Sequence, residues 1–245
     1  MTSTGYKIIR LANGVHSVHS LAYRETFHPV VGPVAEAEAL YVKQLRLVER
    51  IRGHVGEFVI WDVGLGAAAN ALTVLRATRD LACAIRLVSF DNSIEPLRFA
   101  LHHAATLGYF DRYGPLAQTL MDRHSARFQN GRQPASWTLH LGDFPALLAL
   151  SLSRLPARSL PAPHAIFFDA YSPAKNPAMW TLPLFTHLFR LLDPKRPCAL
   201  PTYSRSTMLR ATLLLAGFYV GAGHATGEKE ETTIAANTLD LIDEP

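Results

Sequence analysis

Residues 57–70 read EFVIWDVGLGAAAN. An apolar run from Phe58 to Trp61 stops at Asp62, Gly64 and Gly66 follow, and an alanine-rich segment then opens with Asn70 in its first turn. Glycines in that place permit a tight turn and let backbone approach a ligand closely. Strand, glycine turn and helix in this order begin a crossover unit of a parallel sheet.

The same alternation continues through the chain. Strand-like runs fall at 84–91 (AIRLVSFD), 136–143 (SWTLHLGD), 164–170 (HAIFFDA) and 197–204 (PCALPTYS). A last pair, 217–223 and 232–238, reads as an antiparallel edge. Helix-like segments lie at Ala35–Arg52, Ala67–Arg79, Ile94–Leu107, Phe144–Leu155, Leu182–Leu192 and Ser206–Ala216. Near-continuous Val, Ile, Leu and Phe runs suit strands covered on both faces. The expected fold class is therefore α/β: a mostly parallel seven-stranded Rossmann-like sheet. Residues 1–35 form an N-terminal extension and 36–245 the main domain. The polar stretches 122–136 and 154–165 read as loops.

Composition narrows the class. The chain has 245 residues, 49% of them hydrophobic, enough for one sizeable domain. Two distant cysteines, Cys83 and Cys198, make neither a disulfide framework nor a metal cluster, and suit a reducing, cytoplasmic setting. The N-terminus lacks the apolar core of a secretory signal, and the apolar stretch Ala211–Gly223 is too short to span a bilayer, so no membrane partner and no metal are expected. Twenty-four basic against 20 acidic side chains leave +4, a mild excess compatible with a polyanionic partner such as RNA or with ordinary surface charge.

The first four strands end in Asp62, Asp91, Asp143 and Asp169. In an open parallel sheet those ends share the edge where ligands bind. An aspartate capping the next helix is the competing reading for any one of them. The pattern Gly64-x-Gly66-x-x-Ala69 also fits a loosened dinucleotide fingerprint. Against a pyrophosphate, however, each like charge at 4 Å costs about 4 kcal/mol at an effective dielectric near 20. A ligand with an ammonium, a sulfonium and a ribose diol suits four acids, and S-adenosylmethionine is such a ligand. Asp91 is placed for its ribose hydroxyls and Asp143 for its adenine amino group, with Phe144 to stack. Asp62, Gly64, Gly66 and Asn70 complete the cofactor side.

Asp169 opens the unusual stretch DAYSPAKNPAMW (169–180). Pro173 and Pro177 disfavour helix and hold Ser172 and Asn176 extended or turned, a ledge over the cofactor edge. Methylation of an amine needs a lone pair in line with the methyl group, a carboxylate to hold or take an N–H proton, and a surface for the attached base. Asp169 and Tyr171 fit those last two parts. Met179 and Trp180 read as core packing.

The run FFDAYSPAKNPAMWTLPLF (167–185) resembles the signature of the MnmC-type tRNA methyltransferases, which convert 5-aminomethyluridine at the wobble position to 5-methylaminomethyluridine. Residues 14–42, with Gly32 and Glu36, are similar to that family's N-terminal segment. DVGLGAAAN (62–70), LGDF (141–144) and residues 216–235 are similar to its other motifs. The resemblance implies Asp169 as catalytic base, Glu36 in the active-site lining, Lys175 and Asn176 on the substrate, and tRNA, at its anticodon region, as partner. The family includes two-domain members with an FAD-dependent half. At 245 residues the chain is expected to hold only the methyltransferase, which implies an aminomethyl substrate made by another enzyme or by another branch of the pathway. Two departures stand out: Ala68 replaces a usual third glycine, and Glu228 and Glu230 stand where basic residues are usual.

Two further readings stay open at this stage. One is an aminopropyltransferase related to the polyamine synthases, which shares a proline-punctuated ledge after the fourth strand. The other is a non-catalytic RNA-binding module. Arg123, Arg127 and Arg132, with Lys175, are placed to meet phosphates or simply to solvate a loop.

Overall fold

The computed structural model describes residues 5–152, 160–227 and 230–243. The chain begins with strands β1 (Tyr6–Arg10), β2 (His16–Ser20) and β3 (Glu25–Thr26), which make a separate antiparallel three-stranded sheet. Helix α1 (Pro33–Ala37) runs into a wider π-helical turn, Glu38–Lys43, and α2 (Leu47–Arg52) follows. Then come β4 (Phe58–Val63), α3 (Ala69–Thr78), β5 (Ile85–Asp91), α4 (Glu95–His102), α5 (Ala104–Leu107) and α6 (Gly114–Arg123). The rest is β6 (Ser125–Asn130), β7 (Gln133–Leu141), α7 (Phe144–Leu152), β8 (Ala165–Phe168), α8 (Leu182–Leu191), β9 (Ala199–Thr202), α9 (Thr207–Ala216), β10 (Tyr219–Gly223) and β11 (Thr232–Ala236).

The large sheet has eight strands in the order β10-β11-β9-β8-β4-β5-β7-β6. Its inner strands β9, β8, β4, β5 and β7 run parallel, while β6 and the β10–β11 pair are antiparallel to their neighbours. The expected Rossmann-like sheet with an antiparallel edge at β10 and β11 is present. The eighth strand, β6, lies inside a stretch that reads as a polar loop. Its residues alternate exposed Ser125, Arg127 and Gln129 with better covered Ala126, Phe128 and Asn130, which is how an outer strand keeps its edge polar.

Helix boundaries shift for physical reasons. The segment Ala35–Arg52 is one helix by periodicity but breaks into three pieces, because Arg46 takes a left-handed backbone (φ 46°) and the chain widens to bury Leu40 and Tyr41. The Tyr41 ring then packs 4.4 Å from Phe167. His103 interrupts Ile94–Leu107 between α4 and α5. Helix α6 has no counterpart in the sequence reading. The end of the expected helix at Leu155, the first half of the loop 154–165, and Glu228 lie outside the described residues.

Alternation along β4 organises the core. Phe58 and Ile60 pack on the face covered by α2, α3 and the π-helical turn, whereas Val59, Trp61 and Val63 pack with Phe144, Leu148, Phe185 and Leu188 on the other. Chain order reverses at β4: β5 and β7 lie to one side, β8 and β9 to the other. A crevice at such a reversal is where open parallel sheets bind ligands.

Candidate active site

A cavity of about 420 Å³ sits over the carboxyl ends of β4, β5, β7 and β8, roofed by the N-terminal sheet. Its floor begins at the glycine turn. Gly64 (φ 92°) passes so near the end of β8 that a Cβ there would lie 2.6 Å from the Asp169 carbonyl oxygen. Gly66 (φ 51°) faces Phe27 of the roof, and its N–H donates to Asp91 Oδ2 at 2.8 Å. Ala68 also takes the left-handed conformation (φ 62°), buried, at the start of α3. The family's usual glycine here therefore answers a backbone demand that this chain meets with strain.

Asp91 lies at the β5 end, with Oδ1 accepting from the Ser93 N–H at 3.0 Å. Burial pushes its carboxyl up, and the backbone donors of Gly66, Ser93 and Asn92 pull the other way. Asp143 is exposed at the rim and accepts from the Ala146 N–H at 3.1 Å, so it caps α7 while lining the cavity. Phe144 lies beneath it, edge-on to Phe90 with centroids 5.0 Å apart.

Asp62 does not line the cavity. Strand alternation turns it to the Ile60 side, where it is fully buried and accepts from Ser89 Oγ at 2.7 Å. Ser89 Oγ in turn accepts from the Trp137 indole N–H at 2.8 Å. Burial raises the Asp62 carboxyl to about 7 despite the Ser89 hydrogen bond. Three of the four strand-end aspartates thus share the cavity, and the fourth supports its floor.

Asp169 stands beyond β8 at the reversal point. Its Oδ2 accepts from Asn70 Nδ2 at 2.7 Å and lies 3.7 Å from His28 Nε2. His28 Nδ1 meets Glu36 Oε1 at 3.2 Å. One ligand atom from each of His28, Glu36 and Asp169 falls within 4.8 Å of the others. Among the described residues, Asn70 Oδ1 is buried with no hydrogen-bond partner.

The proline stretch is a hydrogen-bonded turn. The N–H groups of Lys175 and Asn176 both donate to the Ser172 carbonyl at 2.8 Å, and Pro177–Trp180 forms a short 3-10 turn. Glu25 of β3 accepts from the Ser172 N–H at 3.1 Å and from its hydroxyl, pinning roof to ledge. Tyr171 lines the cavity with its ring stacked on Tyr23 at 3.9 Å and edge-on to Phe27 at 5.6 Å. Trp180 donates to the Tyr171 carbonyl at 2.8 Å, and its ring meets Phe168 edge-on at 5.2 Å, so Trp180 packs as core, as does buried Met179. Asn176 lines the cavity, whereas Lys175 is exposed and does not.

The roof residues lie within the 14–42 segment whose resemblance singles out Gly32 and Glu36, but no periodicity marks His28, Tyr23, Glu25 or Phe27 as site residues. His28, Tyr23, Glu25 and Phe27 reach the site only because the small N-terminal sheet folds over it. Among the described residues, Arg24 is the one arginine or lysine lining the cavity. The grouped arginines separate: Arg123 ends α6, Arg127 pairs opposite Ser136 within the outer strand, and Arg132 sits at the β6–β7 hairpin, at the sheet end away from the cavity.

Comparison with known proteins bears on the family and the fold. A family model described as S-adenosyl-L-methionine-dependent methyltransferase matches residues 117–238. A "tRNA 5-methylaminomethyl-2-thiouridine biosynthesis bifunctional protein MnmC" of Methylibium petroleiphilum is 31% identical over 228 residues, covering 88% of this chain and 32% of that protein. The protein of the same name from Burkholderia mallei is 30% identical over 216 residues, covering 82% and 31%. The chain thus spans about a third of the length of these curated relatives. The crystal structure of MnmC2 from Aquifex aeolicus matches with a TM-score of 0.71 at 24% identity, over 96% of this chain and 71% of that one. A spermidine synthase complexed with a transition-state analogue shares the fold at a TM-score of 0.58 and 10% identity, over 97% of this chain and 71% of that one. The chain is thus similar to the S-adenosyl-L-methionine-dependent methyltransferases in fold and, over residues 117–238, in sequence, and its curated relatives are MnmC proteins.

Proposed function

We propose that the chain is an S-adenosylmethionine-dependent N-methyltransferase acting on tRNA, converting 5-aminomethyl(-2-thio)uridine at the wobble position to the 5-methylaminomethyl form. The observation that carries this reading is the division of the cavity. Asp91 and Asp143 line the half beside the glycine turn, while Asp169, Glu36 and His28 line the other, with Asn70 between them.

The residues fit the cofactor. The Gly64 and Gly66 turn leaves backbone where a Cβ would intrude, and Asp91 keeps its carboxylate at the β5 end for ribose hydroxyls. Asp143 and Phe144 hold the adenine side, and Asn70, which lines the cavity between the two halves, stands beside the cofactor's ammonium. Asp62 acts from below, by fixing the β4–β5 ends through Ser89. The cofactor, when bound, supplies an electrophilic methyl group on a sulfonium.

On the acceptor side, Asp169 takes or holds the amine proton so that the nitrogen presents a lone pair. Asn70 fixes that carboxylate while touching the cofactor half. Tyr171 offers the surface for the uracil, Asn176 a polar edge within the cavity, and Glu36 a second carboxylate for a cationic amine. Lys175 and Arg24, outside and at the rim, meet backbone phosphates. The N-terminal sheet, β1 to β3, serves as the roof over the base. The protein acts after an enzyme that installs the aminomethyl group, in the cytoplasm.

The test is nucleoside mass spectrometry after incubating protein, S-adenosylmethionine and tRNA carrying 5-aminomethyluridine. A 5-methylaminomethyluridine product is expected. Aminopropyl transfer to putrescine from the decarboxylated cofactor, with no methylated nucleoside, would overturn the reading in favour of a polyamine synthase.

A further inference from the structure

His28 is assigned no part in the reading above beyond lining the cavity, yet it is the most constrained side chain there. It comes from the loop after β3, where its backbone is left-handed (φ 49°), a conformation that costs on the order of 1 kcal/mol and persists only where surroundings over-determine it. Its side chain is 9% exposed. Nδ1 contacts Glu36 Oε1 at 3.2 Å and Nε2 faces Asp169 Oδ2 at 3.7 Å. The imidazole therefore bridges two carboxylates from separate elements, α1 and the β8 end.

We infer that His28 is a positioning residue: as an imidazolium it clamps Asp169 Oδ2, the same oxygen that accepts from Asn70, and ties the N-terminal roof to the acceptor half. Both ring nitrogens must carry hydrogen to face two carboxylates, since a neutral ring would turn a lone pair towards one of them. With both carboxylates ionised, the cluster of Glu36, His28 and Asp169 holds one net negative charge. That matches a single ammonium or amine and disfavours a dication such as a diamine. The groups facing His28 are Asp169, Glu36 and, one layer down, Asp62, with the phenols of Tyr41 and Tyr203 beside the same carboxylates. Burial alone would lower the imidazole, but Asp169 and Glu36 outweigh it and hold it at about 9.

The kinetic half of the inference rests on the methyl-transfer reading, and the spectroscopic half does not. Nitrogen-15 imidazole shifts of the full chain should titrate near 9 for His28, and Asp169→Asn should bring that midpoint down towards the ordinary value. A His28 midpoint near 6.5, or one that Asp169→Asn leaves unchanged, overturns the clamp. In methylation of aminomethyl-tRNA, His28→Gln should lower kcat about 10- to 100-fold with little change in KM, the scale of a misplaced catalytic group. The wild-type kcat should fall above about pH 9, a limb absent from His28→Gln. A His28→Gln variant that folds and keeps the wild-type kcat and its alkaline limb also overturns it. If the titration holds while the wild type transfers no methyl group, the clamp stands and the functional reading fails instead.

Discussion

At the scale of single residues, the site turns on a few conformational and electrostatic demands. Ala68 is buried in a left-handed conformation. Relief of roughly 1–2 kcal/mol of strain in Ala68→Gly is offset by about 0.8 kcal/mol of lost methyl burial and a similar entropic cost. The variant should be close to neutral, whereas Ala71→Gly inside α3 should cost about 1–2 kcal/mol because it has no strain to relieve. Equal losses for the two in chemical denaturation would contradict the assigned backbone. Asp62 makes a second residue-level prediction. Its folded value near 7 lies above that of the unfolded chain, so the folded state binds the extra proton between about pH 4 and 7. Stability from this group falls as pH rises through that window and is level above it. Asp62→Asn should therefore gain on the wild type at pH 8 relative to pH 4, and parallel stability curves would refute the assignment.

At the scale of elements, the roof is the part that binds the rest into a site. Glu25 of β3 holds Ser172 of the ledge by two hydrogen bonds, and Tyr23 stacks on Tyr171. Glu25→Ala should cost about 2 kcal/mol in denaturant unfolding, the worth of a charged acceptor lost from half-buried donors, and should expose the β2–β3 turn to protease. Unchanged cleavage would show that the roof is held elsewhere. This element also marks the limit of what could be read in sequence. The parallel strands were legible because both faces are covered, which forces apolar runs such as AIFF before Asp169. The short roof strands have one wet face and cross polar turns, so within the family-like segment 14–42 no periodicity places His28 and Glu25 at the site. Asp62 faces away from the cavity because it lies one position before the end of β4, which turns its carboxylate to the other face.

At the scale of the whole molecule, the sheet order explains which charges can act together. Reversal at β4 brings Gly64 against Asp169 and leaves the β6–β7 hairpin on the far edge. The net excess of basic residues is spread, and Arg24 at the mouth is better placed than Arg132 at the opposite end for a phosphate near the reacting base. Arg24→Gln should raise the KM for tRNA several-fold and shallow its salt dependence by about one phosphate contact, while Arg132→Gln should leave both unchanged. The reverse ranking would move the RNA to the hairpin edge.

The central claim is that Asp169 serves the acceptor and Asp91 the cofactor. It is tested most directly by measuring S-adenosylmethionine binding by calorimetry and 5-methylaminomethyluridine formation by mass spectrometry in Asp169→Ala and Asp91→Ala. Asp169→Ala should bind the cofactor within a few-fold of wild type and form no detectable product, while Asp91→Ala should lose cofactor binding. A fully active Asp169→Ala, or one whose only defect is lost cofactor binding, would contradict the account.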